Sequence, residues 1–280
     1  MTGHDPRTLL RDAGLRPKRS FGQNFLVAEP IARAIATACV HDDEVGRARV
    51  VEIGAGTGAL TRLLAPRALS LVAIERDRDL VPLLVRELEA VPHVRIVEAD
   101  AQSVDIGALF GGDEPESPRV LCGNLPYALT GTLMRRAVDN ARAFDRAVFM
   151  VQDEVAARLT ASPSTKDFGA LSVFVQAAFA VRRVLRASPG SFHPSPEVTS
   201  ALVELTTLRP PRARETEALR ALVRGAFQAR RKKLRNAWAH VAGPGPLADA
   251  AARAGVSLDA RGETLDVEAF ARMAGEIDPV

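Results

Sequence analysis

The chain has 280 residues, 47% of them hydrophobic and 25% charged, with a formal net charge of +3. Those values describe an ordinary globular protein with room for one large domain and a small one, and they exclude wholesale disorder. Cys39 and Cys122 are the only cysteines and form no CxxC pattern, so neither a disulfide scaffold nor a zinc site is expected and a reducing compartment is favoured.

The start of the chain, Met1 to Arg19, is polar and basic and lacks the apolar core of a signal peptide. The longest apolar run, Ala170 to Val181, is interrupted by Ser172 and Gln176 and is too short to cross a bilayer. A soluble, cytoplasmic protein is expected. Charge is unevenly placed. Residues 1–20 carry five basic and two acidic side chains, and residues 209–235 carry ten and two, while the remainder is mildly acidic. Two basic segments on an acidic body suggest a polyanionic partner touched at particular places.

In chain order, Ile31–Val40 has the apolar spacing of a buried helix. Short β-rich runs then alternate with helical patterns: Val50–Ile53, Leu71–Ile74, Val94–Val97, Val120–Leu121 and Ala147–Val151. Such alternation predicts βαβ units and a parallel sheet. Gly111–Pro118 reads as a polar surface loop, and Ala201–Leu205 as a late strand paired with the segment Ala177–Val184. Arg209-Pro210-Pro211 breaks the pattern, and Glu217–Phe227, Arg231–Val241 and Leu247–Ala254 are helical beyond it, with Gly243-Pro244-Gly245-Pro246 as a separator. The expected organisation is a sheet domain over residues 1–208 and a helical domain over 209–280.

The first strand runs into Gly54-Ala55-Gly56-Thr57-Gly58, a tight glycine turn ahead of a helix. The spacing is compressed relative to G-x-G-x-x-G and suits a nucleoside with an amino-acid moiety better than a pyrophosphate. The next strand ends in Glu75, placed to accept from ribose hydroxyls, and the third ends near Asp100-Ala101, where a carboxylate can accept from an adenine amine. Three successive strand ends thus put Gly54, Gly56, Glu75 and Asp100 on one rim, where open α/β sheets bind ligands. The set points to S-adenosylmethionine rather than NAD.

After the strand at Val120-Leu121 comes Asn124-Leu125-Pro126-Tyr127, an amide, a stiffened turn and an aromatic face within four residues. The Asn124 side-chain oxygen can accept from an exocyclic amine, Pro126 fixes the backbone and Tyr127 can stack on a base. With the glycine loop, this points to N-methylation of adenine on an unpaired or flipped base. His193, between Phe192 and Pro194, reads as a loop residue rather than a base. Cys122 reads as a small core residue of its strand, and Trp238 as core of the second domain.

The chain resembles the small-subunit ribosomal RNA adenine dimethyltransferases, the kasugamycin-resistance methyltransferase family, from about residue 17 to 275. Residues 18–26 (KRSFGQNFL) look like the family's N-terminal signature, and residues 52–61, 74–80, 123–127, 150–159, 192–201, 227–236 and 261–265 follow in the family's order. The resemblance implies a Rossmann-like class I S-adenosylmethionine-dependent methyltransferase domain with a small all-helical C-terminal domain. It implies cofactor contacts at Asn24, Leu26, Gly54, Gly56, Glu75, Asp100, Ala101 and Asn124, with Asn24 and Leu26 closing over the methionine end. It makes Asn124, Leu125, Pro126 and Tyr127 the catalytic stretch, and it sets Phe192 against the other face of the base.

By the same resemblance the product is N6,N6-dimethyladenosine, made at two adjacent adenines of a hairpin loop near the 3′ end of 16S rRNA during late small-subunit biogenesis. RNA contacts are expected from Arg16, Lys18 and Arg19 in the basic segment 1–26, and from Arg230, Arg231, Lys232, Lys233 and Arg235. No metal is implied, and a monomer is expected. One departure is Ala128, where the family usually has a second Asn. Two alternatives are a large-subunit 23S rRNA methyltransferase of the macrolide-resistance type and a ribosome-assembly factor without catalysis. The residues 21–26 (FGQNFL) and 261–265 (RGETL) favour the small-subunit family over the first, and the intact Asn124–Tyr127 stretch weighs against the second.

Overall fold

The computed structural model describes residues 5–112 and 117–277. Met1–His4 of the basic start and residues 113–116 of the expected 111–118 loop lie outside the described residues. The described strands are β1 (Phe25–Leu26), β2 (Arg49–Ile53), β3 (Ser70–Glu75), β4 (Val94–Glu98), β5 (Arg119–Asn124), β6 (Arg146–Gln152), β7 (Phe179–Ala187), β8 (Phe192–His193) and β9 (Ser200–Thr207). The large sheet has the order β4-β3-β2-β5-β6-β9-β7. Strands β4, β3, β2, β5 and β6 are parallel, and β9 runs antiparallel to β6.

The central strands are apolar on both faces because helices cover both. Ala147 through Val151 of β6 are wholly buried, as are Val120, Leu121 and Cys122 of β5. The helix Glu29–Cys39 starts with Pro30 in its first turn and buries Ala32, Ile35, Ala36 and Cys39 on one stripe. Cys39 and Cys122 are free and buried, and burial pushes the Cys122 thiol up, with Cys39 beside it. The chain switches direction across the sheet between β2 and β5, so the C-terminal ends of these two strands frame a crevice. The short pair β1–β8 joins Phe25 to His193 and Leu26 to Phe192.

The chain divides into two compact units. One runs to Ala156 and resumes over Arg182–Thr207; the other takes Ala157–Val181 and what is described from Leu208 onward. The second unit therefore includes a stretch before residue 208. The reason is packing: Phe168, Val173 and Ala177 share a core with Leu219, Leu222, Trp238 and Phe270. The buried Trp238 satisfies its indole by donating Nε1–H to the Leu222 carbonyl at 2.8 Å.

Two helical expectations in this unit need correction. Residues 231–233 are not helical, and only Leu234–Ala237 forms a short helix within the expected 231–241 span. The backbone N–H groups of Leu234 and Arg235 donate to the carbonyls of Ala260 and Leu258, which pulls the chain away from a continuous helix. Gly243-Pro244-Gly245-Pro246 is not a plain separator: Pro244–Ala254 is helical, with the prolines in the first turn, where no intrahelical N–H is lost. Among the described residues no helix is long and apolar enough to cross a membrane.

Candidate active site

A cleft of about 1060 Å³, open solvent at its mouth included, lies at the C-terminal ends of β2, β3, β4 and β5. The turn after β2 has left-handed backbone at Gly54, Gly56 and Gly58 (φ of 74°, 59° and 78°). Space at Gly56 is also close, since a Cβ there would come within 3.1 Å of the Phe25 ring, which would have to shift slightly. Gly123 in β5 is tighter: an added Cβ would sit 2.3 Å from the Ile53 carbonyl oxygen. In the sequence Gly123 counted only as the start of the 123–127 motif; the packing reason for it, the Ile53 carbonyl, had no signal beyond a glycine inside a strand.

Glu75 ends β3 with 7% exposure. Its Oε2 accepts the Gly56 N–H at 2.8 Å and its Oε1 the Asp77 N–H at 2.7 Å. Burial raises its carboxyl, and these two N–H groups work against that rise. Asp100 follows β4. Its Oδ1 accepts the Gln102 N–H at 2.9 Å, and its Oδ2 pairs with Arg76 at 3.1 Å. The Arg76 guanidinium lies over the Phe21 ring, 4.5 Å from its centroid, and Phe21 and Ala101 both line the cleft.

Deeper in the cleft Glu52 is almost wholly buried, and its Oε2 and the Thr57 hydroxyl have no hydrogen-bond partner among the described residues. Burial pushes the Glu52 carboxyl up to about 7, with the nearby Glu75 adding to the rise. Thr61 and Arg62 act against that rise; the remaining oxygen, Oε2, and the Thr57 hydroxyl fit a ligand that brings a cationic amine. Sequence reasoning did not single out Glu52 or Thr57, although both stand within the glycine-loop stretch.

The segment Lys18–Leu26 borders the cleft. Asp77, 3% exposed, accepts from Lys18 Nζ at 2.5 Å and from Gln23 Nε2 at 2.7 Å. Burial acts to raise the Asp77 carboxyl, but the Lys18 and Gln23 hydrogen bonds outweigh it and hold the group low. Lys18 also reaches Asp79 at 2.6 Å. Its charge is thus committed within the protein, while Arg16 and Arg19 are exposed. Leu26 is buried at 6% and lines the cleft with Asn24.

Asn124 ends β5. Its Nδ2 donates to the Asn24 carbonyl at 2.7 Å, which leaves Oδ1 as the acceptor end of the amide. Leu125 is 1% exposed and extends the ladder, its N–H donating to the Met150 carbonyl at 3.1 Å. The Pro126 carbonyl accepts from the Leu129 N–H at 2.9 Å and the Thr130 hydroxyl at 3.2 Å. The Tyr127 hydroxyl pairs with Ser200 Oγ at 2.6 Å, and burial raises its pKa. Ala128 is exposed. Phe192 is placed differently from expectation. It is 4% exposed, packs in the core with Leu26 and Ile35, and does not line the cleft.

The second basic cluster is partly spent on structure. Arg230 pairs with Glu263 at 2.6 Å and donates to the Lys166 carbonyl at 3.0 Å. Lys233 and Arg235 share Asp259, at 2.9 and 2.6 Å. Arg231 and Lys232 are exposed and make no ion pair among the described residues.

A model of the family described as ribosomal RNA adenine dimethylase matches residues 14–278. The chain belongs to that family. Ribosomal RNA adenine dimethylases are S-adenosylmethionine-dependent methyltransferases, and the cleft described above has the donor and acceptor set such a cofactor needs. The ribosomal RNA small subunit methyltransferase A of Geobacter metallireducens is 40% identical over 272 residues, which cover 95% of this chain and 97% of that protein. The protein of the same name from Pelotomaculum thermopropionicum is 42% identical over 282 residues, covering 96% and 94%.

Among solved structures, a dimethyladenosine transferase from Plasmodium falciparum shares the fold with a TM-score of 0.73 at 21% identity, covering 89% of this chain and 95% of that one. The 23S rRNA methyltransferase ErmE shares it with a TM-score of 0.65 at 24% identity, covering 91% and 99%. Both likenesses bear on fold: an α/β Rossmann-like methyltransferase with C-terminal helices.

Proposed function

We propose that this ribosomal RNA adenine dimethylase acts on small-subunit rRNA, converting two adjacent adenines of a hairpin loop near the 3′ end of 16S rRNA to N6,N6-dimethyladenosine late in subunit biogenesis. Near-full-length identity of about 40% to small-subunit enzymes supports this target over a large-subunit one. The single observation that carries the chemistry is the orientation of Asn124, whose Nδ2 is occupied by the Asn24 carbonyl so that Oδ1 is the end left to accept.

S-adenosylmethionine, when bound, supplies an electrophilic sulfonium methyl. Gly54 and Gly56 give it a cradle without side chains, Glu75 takes the ribose hydroxyls, and Asp100 beside Ala101 accepts from the adenine ring's amine. Asn24 and Leu26 cover its methionine end. Glu52 Oε2 and the Thr57 hydroxyl, both without a hydrogen-bond partner among the described residues, are suited to the amino-acid end.

The target adenine's N6 is a weak nucleophile because its lone pair is delocalised into the ring. Two acceptors on its N–H groups oppose that delocalisation. Asn124 Oδ1 is one. The other is the Leu125 carbonyl, which accepts no hydrogen bond among the described residues, whereas the Pro126 carbonyl already takes two. Preorganised acceptors of this kind, with positioning, supply the rate without a strong base. Tyr127, its hydroxyl held by Ser200, stacks on the base, worth roughly 1–3 kcal/mol.

Arg231 and Lys232, with Arg16 and Arg19, contact phosphate and position the RNA rather than specify it. The sheet unit carries the chemistry and, through Arg16 and Arg19, part of the RNA contact; the helical unit supplies the rest. The enzyme works as a monomer in the cytoplasm.

The test is to incubate the protein with methyl-labelled S-adenosylmethionine and undermethylated small subunits, with large-subunit RNA in parallel, and digest the products to nucleosides. Labelled N6,N6-dimethyladenosine in small-subunit RNA alone is the expected result. Label in large-subunit RNA instead overturns the target, and binding to subunits without label makes the protein an assembly factor.

A further inference from the structure

Gln23 joins three parts of the cleft wall. Its Oε1 accepts the Lys18 backbone N–H at 2.7 Å, and its Nε2 donates to Asp77 Oδ2 at 2.7 Å. Asp77 is itself anchored: it sits 3% exposed at the end of β3, its Oδ1 accepting Lys18 Nζ at 2.5 Å and the Asp79 N–H at 3.1 Å. Gln23 therefore has no freedom at either end of its amide. The next residue in the chain, Asn24, carries the carbonyl that accepts from Asn124 Nδ2 at 2.7 Å.

That carbonyl decides which end of the Asn124 amide faces the cleft. Turned by a half rotation, Asn124 would set its own oxygen against the Asn24 oxygen, two acceptors with no proton between them. With the Asn24 carbonyl displaced, nothing else among the described hydrogen bonds holds the amide in one sense. The connection runs from a buried carboxylate to a side-chain amide, through one peptide unit, to the acceptor in the cleft.

We infer that Gln23 is a positioning residue for methyl transfer: pinned to Asp77, it sets the Asn24 carbonyl and through it presents the Asn124 oxygen to the target amine. The inference rests on the reading of Asn124 as acceptor for that amine. It adds that the segment closing over the cofactor and the acceptor for the base are one mechanical unit. Loosening the segment at Gln23 costs turnover more than cofactor affinity, because only the Asn24 and Leu26 contacts move with it, while the glycine turn and the Glu75 and Asp100 carboxylates stay on the strand ends that hold them. The charged groups facing Gln23 are Asp77, Lys18 and Asp79, with Glu75 behind Asp77.

The experiment exchanges the two partners. Gln23→Glu sets a carboxylate against Asp77, and Gln23→Glu with Asp77→Asn restores one amide facing one carboxylate at the position. The single variant is expected to lose about tenfold or more in kcat at pH 8, with the cofactor Kd by calorimetry changed less than about threefold, and the double variant to recover most of that loss. A second readout does not need activity: the Asn124 side-chain amide resonance should lose its protection from hydrogen exchange in the single variant and regain it in the double. Wild-type kcat and an unchanged Asn124 signal in Gln23→Glu would overturn the inference, as would a double variant no better than the single one. If the wild type fails to methylate adenine, the reading of the site fails, and the Asn124 resonance still decides whether Gln23 controls the amide.

Discussion

Tyr127 and Ser200 share a hydrogen bond of 2.6 Å between their hydroxyls, joining the turn after β5 to the first residue of β9. Ser200 is wholly buried, so the aromatic ring is held from beneath by the sheet. Separating ring from tether gives a graded expectation. Tyr127→Phe keeps the stacking face and is expected to lose only a few fold in kcat/KM. Tyr127→Ala removes the face and should lose about 10- to 100-fold, the equivalent of roughly 1–3 kcal/mol of base stacking. Steady-state rates on small subunits check this, and equal losses in the two variants would contradict stacking.

Gly123 faces the Ile53 carbonyl across the β2–β5 pairing, with 2.3 Å available where a Cβ would stand. Backbone on a central strand cannot retreat as a side chain can. Gly123→Ala is expected to cost at least the ~1–3 kcal/mol of ordinary overpacking. A thermal melt of variant against wild type checks it, and an unchanged Tm would show that the strands part without penalty.

Glu52 provides a pH signature. Its folded carboxyl stands at about 7 against 4.5 in an open chain, chiefly through burial. Stability is therefore fully present below about pH 4.5 and is lost as pH rises through 7, because ionising a buried carboxylate opposes folding. Glu52→Gln removes that loss. The variant should gain on the wild type between pH 4.5 and 7 and level off above it, by no more than about 3 kcal/mol. Denaturant midpoints across that range measure the gap, and parallel curves would contradict the assignment.

Much of this site was legible because its groups fall at strand ends, where local pattern and topology agree. The turn at Gly54, Glu75 on β3, Asp100 after β4 and Asn124 on β5 are four consecutive parallel-strand termini, and alternation alone places them on one rim. What escaped depended on contacts distant in sequence. Lys18 read as a phosphate contact because nothing local reveals Asp77, 59 residues on. The burial of Phe192 beside Leu26 was not legible either, because its pairing with Leu26 across β1–β8 joins residues far apart in the chain. Residues 231–233 read as helix because the carbonyls of Leu258 and Ala260 that capture the following backbone lie more than 20 residues downstream.

Lys233 and Arg235 share one Asp259, so of this cluster the exposed Arg231 and Lys232 carry most of the uncommitted charge. Replacing both by Ala should weaken RNA binding and reduce the slope of log K against log salt by about 1–2, whereas Arg235→Ala should reduce it less. Binding titrations at several salt concentrations decide, and an unchanged slope in the double variant would remove these residues from the interface.

The most direct test of the account is methyl transfer by Asn124→Ala measured beside its cofactor affinity. If the Asn124 oxygen prepares the adenine amine, the variant forms less than about one-hundredth of the wild-type N6,N6-dimethyladenosine on small subunits while binding S-adenosylmethionine within a few fold. Normal turnover by Asn124→Ala would contradict the mechanism.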